Sequence, residues 1–304
     1  MEVYQLRAFV EVAADMHVGR AAARLHMAQP TLSRQIAALE RDLGVPLFSR
    51  ARRRIALTPA GEIFLGKARE ILGQLDVAAE DARRAARGEI GTLRLGFVQS
   101  ATYAAVPRLV GRFRAVCPEV RLEAGFMTTM RQIPALQAGL LDVGLLRPQQ
   151  PANAYSGLHT RVISRDAMVA VLPARHPLAV KRRISLAELA GEAFVVYHRE
   201  EGSTGYEAII DHCRGAGFTP RIVQEAGDAQ TIVALVGANL GVSLMLGPTP
   251  NVDPGLVTYR PLSDRIPTWD MALAWSVDNR SATLERFLAI ATELTAGGAQ
   301  VGSS

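Results

Sequence analysis

Cysteine is scarce in this chain, and what is missing around it is informative. Cys117 and Cys213 stand far apart and no CxxC pair occurs. That spacing argues against a disulfide framework or a thiolate metal site, and reads as two buried thiols in a reducing compartment. A redox-sensing pair is the alternative, to which spacing alone gives little support. The histidines (His17, His26, His159, His176, His198 and His212) show no HExxH or other ligand spacing. GxSxG and phosphate-loop motifs are also missing, so nothing calls for a nucleophile, a metal or a cofactor, and an enzyme is not expected. No run of 18 apolar residues suggests a spanning helix. The opening MEVYQLRAFV has no basic segment leading into an apolar one, so it does not read as a secretory leader. The expected location is the cytoplasm, with no membrane partner. Internal repeats are lacking, and the only low-complexity stretch is the tail AGGAQVGSS.

What is present begins with charge. The chain has 304 residues, room for two or three domains, and a net charge of +5. Residues 1–60 hold nine arginines against five acidic residues, so most of the excess lies in the first fifth. A basic segment of this kind fits a nucleic-acid partner.

Three zones follow from periodicity. In residues 1–58, Leu6, Phe9, Val10 and Ala13 recur at helical spacing, and a second short helix turns Ala21, Ala22 and Leu25 inward. After the connection His26-Met27-Ala28, Gln29-Pro30 opens a third helix, with Pro tolerated in the first turn and Ala28 a poor cap. That helix buries Leu32, Ile36, Leu39 and Leu43 and shows Thr31, Arg34, Gln35 and Ala38 on its other face. Two short helices joined by a few residues, the second exposing polar groups at its N-terminus, have the layout of a helix-turn-helix, whose second helix enters the major groove. Arg and Gln there read guanine and adenine by bidentate hydrogen bonds. Gly44 ends the helix. Leu47-Phe48-Ser49 and Ile55-Ala56-Leu57 then read as two short strands, with the run Arg50-Ala51-Arg52-Arg53-Arg54 at their tip as a phosphate contact.

Residues 59–88 read as one linker helix, begun by Thr58-Pro59 and roughly 40 Å long at about 1.5 Å per residue. Its seam of Phe64, Ala68, Ile71, Leu75, Ala78, Ala82 and Ala85 alternates gaps of four and three, the mark of a helix–helix contact. Phe64, Ile71, Leu75 and Ala78 are the candidate dimerisation residues, since a two-fold operator needs two recognition helices.

From residue 91 to 304, strands and helices alternate, which predicts an α/β domain with a mostly parallel sheet. Ligands bind beyond the carboxyl ends of such strands. Ser100 and Thr102 follow the strand ending at Phe97, Thr128 and Thr129 follow the one ending at Phe126, and Arg147 follows the one ending at Leu146. Hydroxyl-bearing helix starts beside an arginine suit a carboxylate or similar anion. A second unit, about residues 165–267, repeats the arrangement with Ser203, Thr204 and Asp228 after its strands. Residues 91–164 and 268–304 form the first lobe, and a ligand would lie between the two. A solute-binding protein is the competing reading, disfavoured by the arginine-rich N-terminal zone.

The stretch LRAFVEVAADMHVGRAAARLHMAQPTLSRQIAALERDLGVPLFSR and the following RRIALTPAGE, within residues 6–62, resemble the DNA-binding signature of LysR-type transcriptional regulators. The resemblance implies a winged helix-turn-helix, a linker helix used in dimer pairing, and a two-lobed, Rossmann-like effector domain similar to type 2 periplasmic binding proteins. It implies a sequence-specific regulator of promoter DNA, a homodimer or homotetramer, with RNA polymerase as a further candidate partner. Carried over by position, Gln29, Pro30, Ser33 and Arg34 would face DNA, with the wing arginines Arg52, Arg53 and Arg54 on its backbone. Residues 96–147 are similar to the branch that responds to aromatic acids and muconates, in which the positions of Ser100, Thr129 and Arg147 lie at the effector site. Two departures stand out: Thr31 replaces the usual Pro of that branch, and the segment at residues 198–202 is more charged than its counterpart.

Overall fold

The computed structural model describes residues 1–51, 54–148, 152–199, 204–247 and 255–298, in two compact units, Met1–Arg84 and Ala85–Ser304.

In the N-terminal unit, α1 (Val3–Asp15), α2 (Val18–Arg24) and α3 (Gln29–Leu43) enclose a core of Leu6, Phe9, Val12, Leu32, Ile36 and Leu39. Ala21 and Ala22 are fully enclosed at the α2 crossing, where larger side chains would hold the helices apart. Leu43 is only half-buried, one turn beyond the core. Gly44 takes a left-handed φ of 72° and stops α3. β1 (Phe48–Ala51) and β2 (Arg54–Leu57) pair antiparallel from Phe48↔Leu57 to Ala51↔Arg54. The ladder therefore runs further into the arginine run than the apolar residues suggest: Arg50 and Arg54 belong to strands. Glu40 of α3 anchors this hairpin, its Oε1 accepting from the amides of Leu47 (2.8 Å) and Phe48 (3.0 Å).

Thr58 caps α4 (Pro59–Ala86) by accepting from the Gly61 amide at 2.9 Å, while its hydroxyl donates to Pro46 O at 2.8 Å. The apolar residues of α4 divide into two faces. Phe64, Leu65, Ala68 and Leu72 pack on the N-terminal core, whereas Ile71 and Leu75 are 40% and 39% exposed and Ala78 is exposed. Phe64 thus leaves the expected seam: it is half-buried, its ring centroid 5.3 Å from that of Phe9. The heptad spacing merged two faces because Phe64 and Ala68 are claimed by the helix's own domain.

The second unit has two lobes. In the first, β3 (Gly91–Phe97), α5 (Ala105–Val116), β4 (Val120–Phe126), α6 (Thr129–Gln137), β5 (Val143–Leu146) and β6 (Leu158–Asp166) precede the crossing to the second lobe. The second lobe holds β7 (Met168–Pro173), β8 (Ala193–Tyr197), α7 (Thr204–Gly215), β9 (Arg221–Ala226), α8 (Ala229–Gly237), β10 (Ser243–Leu246) and β11 (Val257–Pro261). The chain then returns through β12 (Trp269–Ser276) and ends in α9 (Ala282–Gly298). The first-lobe sheet has the order β4-β3-β5-β12-β6. Its first three strands are parallel, but β12 is antiparallel to both β5 and β6. Four of the five strands therefore run the same way, as expected for a mostly parallel sheet, and only β12 is reversed. A strand arriving from the other lobe enters from the opposite end and must run the other way. In the second lobe β8 and β9 are parallel, and β10-β7-β11 is antiparallel.

The first-lobe core lies under α5 and α9, where Phe113 and Phe287 meet edge to face at 5.3 Å. α6 covers the opposite face and is fastened there by Gln132, which is fully buried. Its Nε2 donates to Met127 O at 2.7 Å and to Leu145 O at 3.2 Å. Room for this amide comes from two glycines in register on neighbouring strands, Gly96 and Gly144. A Cβ at Gly144 would collide with Gln132 Oε1, and one at Gly96 would lie 3.3 Å from its Cγ. Gly144→Ala is therefore expected to destabilise the unit by about 1–3 kcal/mol, as overpacking does. Urea unfolding of the full chain would show it, and an unchanged midpoint would contradict the close approach. Cys117 and Cys213 sit in separate cores, one per lobe, and burial pushes the Cys213 thiol up to about 12.

Candidate functional site

Two surfaces collect the chemistry-bearing residues. The first is the start of α3. His17 caps α2, its Nδ1 accepting from the Arg20 amide at 3.2 Å, and His26 adopts φ 52° to turn the chain from α2 toward α3. Ala28, at the N-cap of α3, makes no side-chain cap, and Pro30 occupies the first turn. Gln29, Pro30 and Arg34 are exposed there, and Thr31 and Ser33 half-buried. Several arginines of this unit have acidic partners. Arg24 pairs with Glu11 and Asp15, Arg20 with Asp15, and Arg7 with Asp76. Arg34 differs. Among the described residues it has no ion pair, only a 3.5 Å hydrogen bond to Thr31 Oγ1. An exposed, uncompensated guanidinium at a helix start is a ready donor to an anionic or acceptor-rich surface. Arg52 and Arg53 lie outside the described residues. Arg54 is placed only by its backbone pairing with Ala51.

The second surface lies at the carboxyl ends of β3, β4 and β5. Ser100 is in a 3-10 turn after β3, Thr129 opens α6 after β4, and Arg147 follows β5. The structure brings these three together. Arg147 Nε donates to Ser100 Oγ at 3.1 Å, and the Arg147 amide to Thr129 Oγ1 at 3.3 Å. Arg147 is not an open anion receptor, however. Its Nη2 lies 2.6 Å from Asp166 Oδ2, and both side chains are only 8% exposed. Its Nη1 donates to Trp269 O at 3.4 Å. Asp166 ends β6 and Trp269 begins β12, so one guanidinium holds both strands at which the chain crosses between lobes. An incoming carboxylate must share or replace Asp166.

The other sequence candidates fare differently. Thr102 closes its own turn, its hydroxyl donating to Gln99 O at 2.6 Å. Thr128 is exposed and makes no side-chain cap on α6. Asp228 is committed to α8, accepting from the Thr231 amide at 2.9 Å and hydroxyl at 2.6 Å, bonds that hold its carboxyl below the usual range. Its side chain thus serves as the cap of α8. Ser203 lies outside the described residues, and Thr204 is known only as the first residue of α7.

Sequence reasoning overlooked Asp166, Tyr103 and Tyr197. Tyr103, from the first lobe, packs with Tyr197 and Tyr259 on a second-lobe core. Burial, and to a lesser degree the nearby Asp228 charge, pushes the phenols of Tyr103 and Tyr197 up, so both stay protonated donors at neutral pH. The position of Tyr103 just after Ser100 and Thr102 was the one signal in the sequence. Asp166 offered none, because β6 is an edge strand half-wet on both faces with no clean alternation. No three His, Cys, Asp or Glu side chains among the described residues cluster as a metal site. No helix among them is long and apolar enough to cross a membrane.

Comparison with known proteins agrees with this division. Residues 3–62 match the family described as bacterial regulatory helix-turn-helix protein, lysR family, and residues 86–296 match the LysR substrate binding domain. The HTH-type transcriptional regulator AlsR of Bacillus subtilis (strain 168) is 37% identical over 290 residues, 95% of each chain. Among solved structures, CbnR, a LysR family transcriptional regulator, superposes with a TM-score of 0.84 at 28% identity, covering 96% of this chain and 100% of that one. Full-length CbnR complexed with its target DNA gives 0.81 at 27% identity, covering 97% and 100%.

Proposed function

The chain belongs to the LysR family, non-enzymatic DNA-binding transcriptional regulators with an effector-binding domain, and from that premise we propose that its switch is a small aromatic or dicarboxylic acid held at Arg147 between the two lobes. The observation that carries the reading is the Arg147 fork. It is buried at the carboxyl ends of three parallel strands, beside the hydroxyls of Ser100 and Thr129, and its present carboxylate partner is Asp166. A planar guanidinium that already grips one carboxylate is chemically suited to a second. Tyr103 and Tyr197 supply protonated phenols and ring faces for an aromatic or unsaturated body.

The DNA half of the reading rests on α3. CbnR, crystallised with its target DNA, supports placing the start of α3 in the major groove, with Gln29, Pro30, Thr31, Ser33 and Arg34 toward base edges and the β1–β2 wing on phosphates. Ile71, Leu75 and Ala78, bare in the single chain, form the proposed pairing face of α4 in a homodimer.

Two measurements test the halves separately. Calorimetric titration with muconate and benzoate should show binding. Arg147→Lys, which keeps a cation for Asp166 but lacks the fork, should weaken it by roughly tenfold or more. Unchanged affinity would remove Arg147 from the site. Arg34→Ala should lose about 1–3 kcal/mol of preference for the DNA flanking the protein's own gene over random duplex. Equal losses on both DNAs would reduce Arg34 to a phosphate contact.

A further inference from the structure

The carboxamide of Gln132 does more than fasten α6. Both hydrogens of its Nε2 are used, one on Met127 O at 2.7 Å and one on Leu145 O at 3.2 Å. Met127 follows β4 and Leu145 lies in β5, while β3 runs between those two strands. The Leu145 carbonyl also accepts from the Val98 amide at 2.9 Å, and the Met127 amide donates to Phe97 O at 2.9 Å. One buried side chain therefore gathers the ends of three strands. Two residues beyond Val98, Met127 and Leu145 stand Ser100, Thr129 and Arg147 in turn.

The second lobe contains the same helix–strand unit one hundred positions later. Thr128 and Asp228 are the N-caps, and α6 and α8 each have 9 residues. Gly139 and Asn239 take left-handed φ of 68° and 66°, and β5 and β10 begin at Val143 and Ser243. In the places of Gln132 and Gly144 the second unit has Ile232 and Leu244, both fully buried. Packing a helix on these strands is thus achieved there with apolar side chains alone. In the first lobe it carries a penalty. Gln132 Oε1 has no hydrogen-bond partner among the described residues, and a buried acceptor left unpaired is unfavourable. Packing therefore does not account for an amide at this place; the two bonds that only an amide supplies do.

We infer that Gln132 is the positioning residue of the Arg147 cluster, its two donated bonds fixing the spacing of the loops that bear Ser100, Thr129 and Arg147. It touches no ligand. Loops held at fixed spacing before an anion arrives lose less freedom on binding it. The consequence for acid affinity rests on the reading of Arg147 as the effector-binding group; the spacing of the loops does not.

The test uses full-length Gln132→Met, which keeps the side-chain length and removes both donors along with the unpaired acceptor. Hydrogen exchange is followed by mass spectrometry without ligand. Exchange should quicken by about tenfold or more in peptides covering residues 98–103, 127–131 and 145–148, and stay at the wild-type rate in β12 and α9. The variant should melt near the wild-type temperature. Calorimetry with benzoate and muconate should show affinity lower by roughly tenfold. Unchanged exchange in the three peptides overturns the inference, as does acceleration spread evenly over the lobe, which is general destabilisation. Local acceleration with unaltered acid affinity also overturns it. If the wild type binds neither acid, the reading of Arg147 as the acid site falls, and the exchange pattern alone decides on Gln132. Should Gln132→Met fail to fold, Gln132→Ile/Gly144→Leu, which copies the second-lobe pair, takes its place with the same expectations. Failure of both to fold makes Gln132 a packing residue and refutes the inference.

Discussion

Arg147→Ala is expected to destabilise the effector unit by about 3–5 kcal/mol, the usual consequence of stripping one partner from a buried ion pair. Asp166 would be left at 8% exposure with the Ser164 hydroxyl at 3.3 Å as its remaining side-chain partner among the described residues. The Ser100 hydroxyl would lose its donor, and the Trp269 carbonyl its 3.4 Å contact. The double variant Arg147→Met/Asp166→Leu should recover most of the loss, because it removes both charges and keeps the volume. Guanidinium unfolding of wild type, single and double variants gives the coupling energy directly. A loss below about 1 kcal/mol for Arg147→Ala would mean that the pair is solvated and holds nothing.

The second large effect is expected at Phe9. Its side chain is fully buried, with ring centroids 5.3 Å from both Phe48 of the wing and Phe64 of α4. Phe9→Ala should cost about 3–5 kcal/mol, combining lost transfer energy with a cavity between the wing and α4. The loss should fall on the N-terminal unit. DNA binding should fail at a lower temperature than in the wild type, while the thermal response of the effector unit to added acid persists. Parallel loss of both responses would show that the two units do not unfold separately.

Where the sequence was readable, one physical constraint dominated. The α3 face of Leu32, Ile36 and Leu39 is legible because a short helix on a single core must repeat at 3.6 residues. The strands β3 and β5 are legible because a short alternating or unbroken apolar run suits a sheet interior, and both are buried there. What escaped depends on partners far along the chain. Phe64 and Ile71 fit one heptad seam, yet only the position of α1 decides that Phe64 is covered and Ile71 is not. Pairing of Arg50 with Ile55 is a property of the backbone ladder, which an arginine run does not announce by its side-chain pattern. The grouping of Ser100, Thr129 and Arg147 follows from strand ends alone. The presence of Asp166 among them requires knowing that β6 lies at the far edge of the sheet, beside β12.

Asp166 has a further consequence, for sensitivity. It is a carboxylate tethered to the guanidinium that an acid would have to reach, and a tethered group competes at an effective concentration in the millimolar range or above. Any acid acting at Arg147 therefore meets a built-in rival that never diffuses away. Under that proposal the threshold for response is set by this contest rather than by contacts to the ligand alone. Exchange of one carboxylate for another leaves the local charge balanced, but only Asp166 is part of a strand that crosses between lobes. On the proposed reading, the displacement that admits an acid also loosens that mechanical tie.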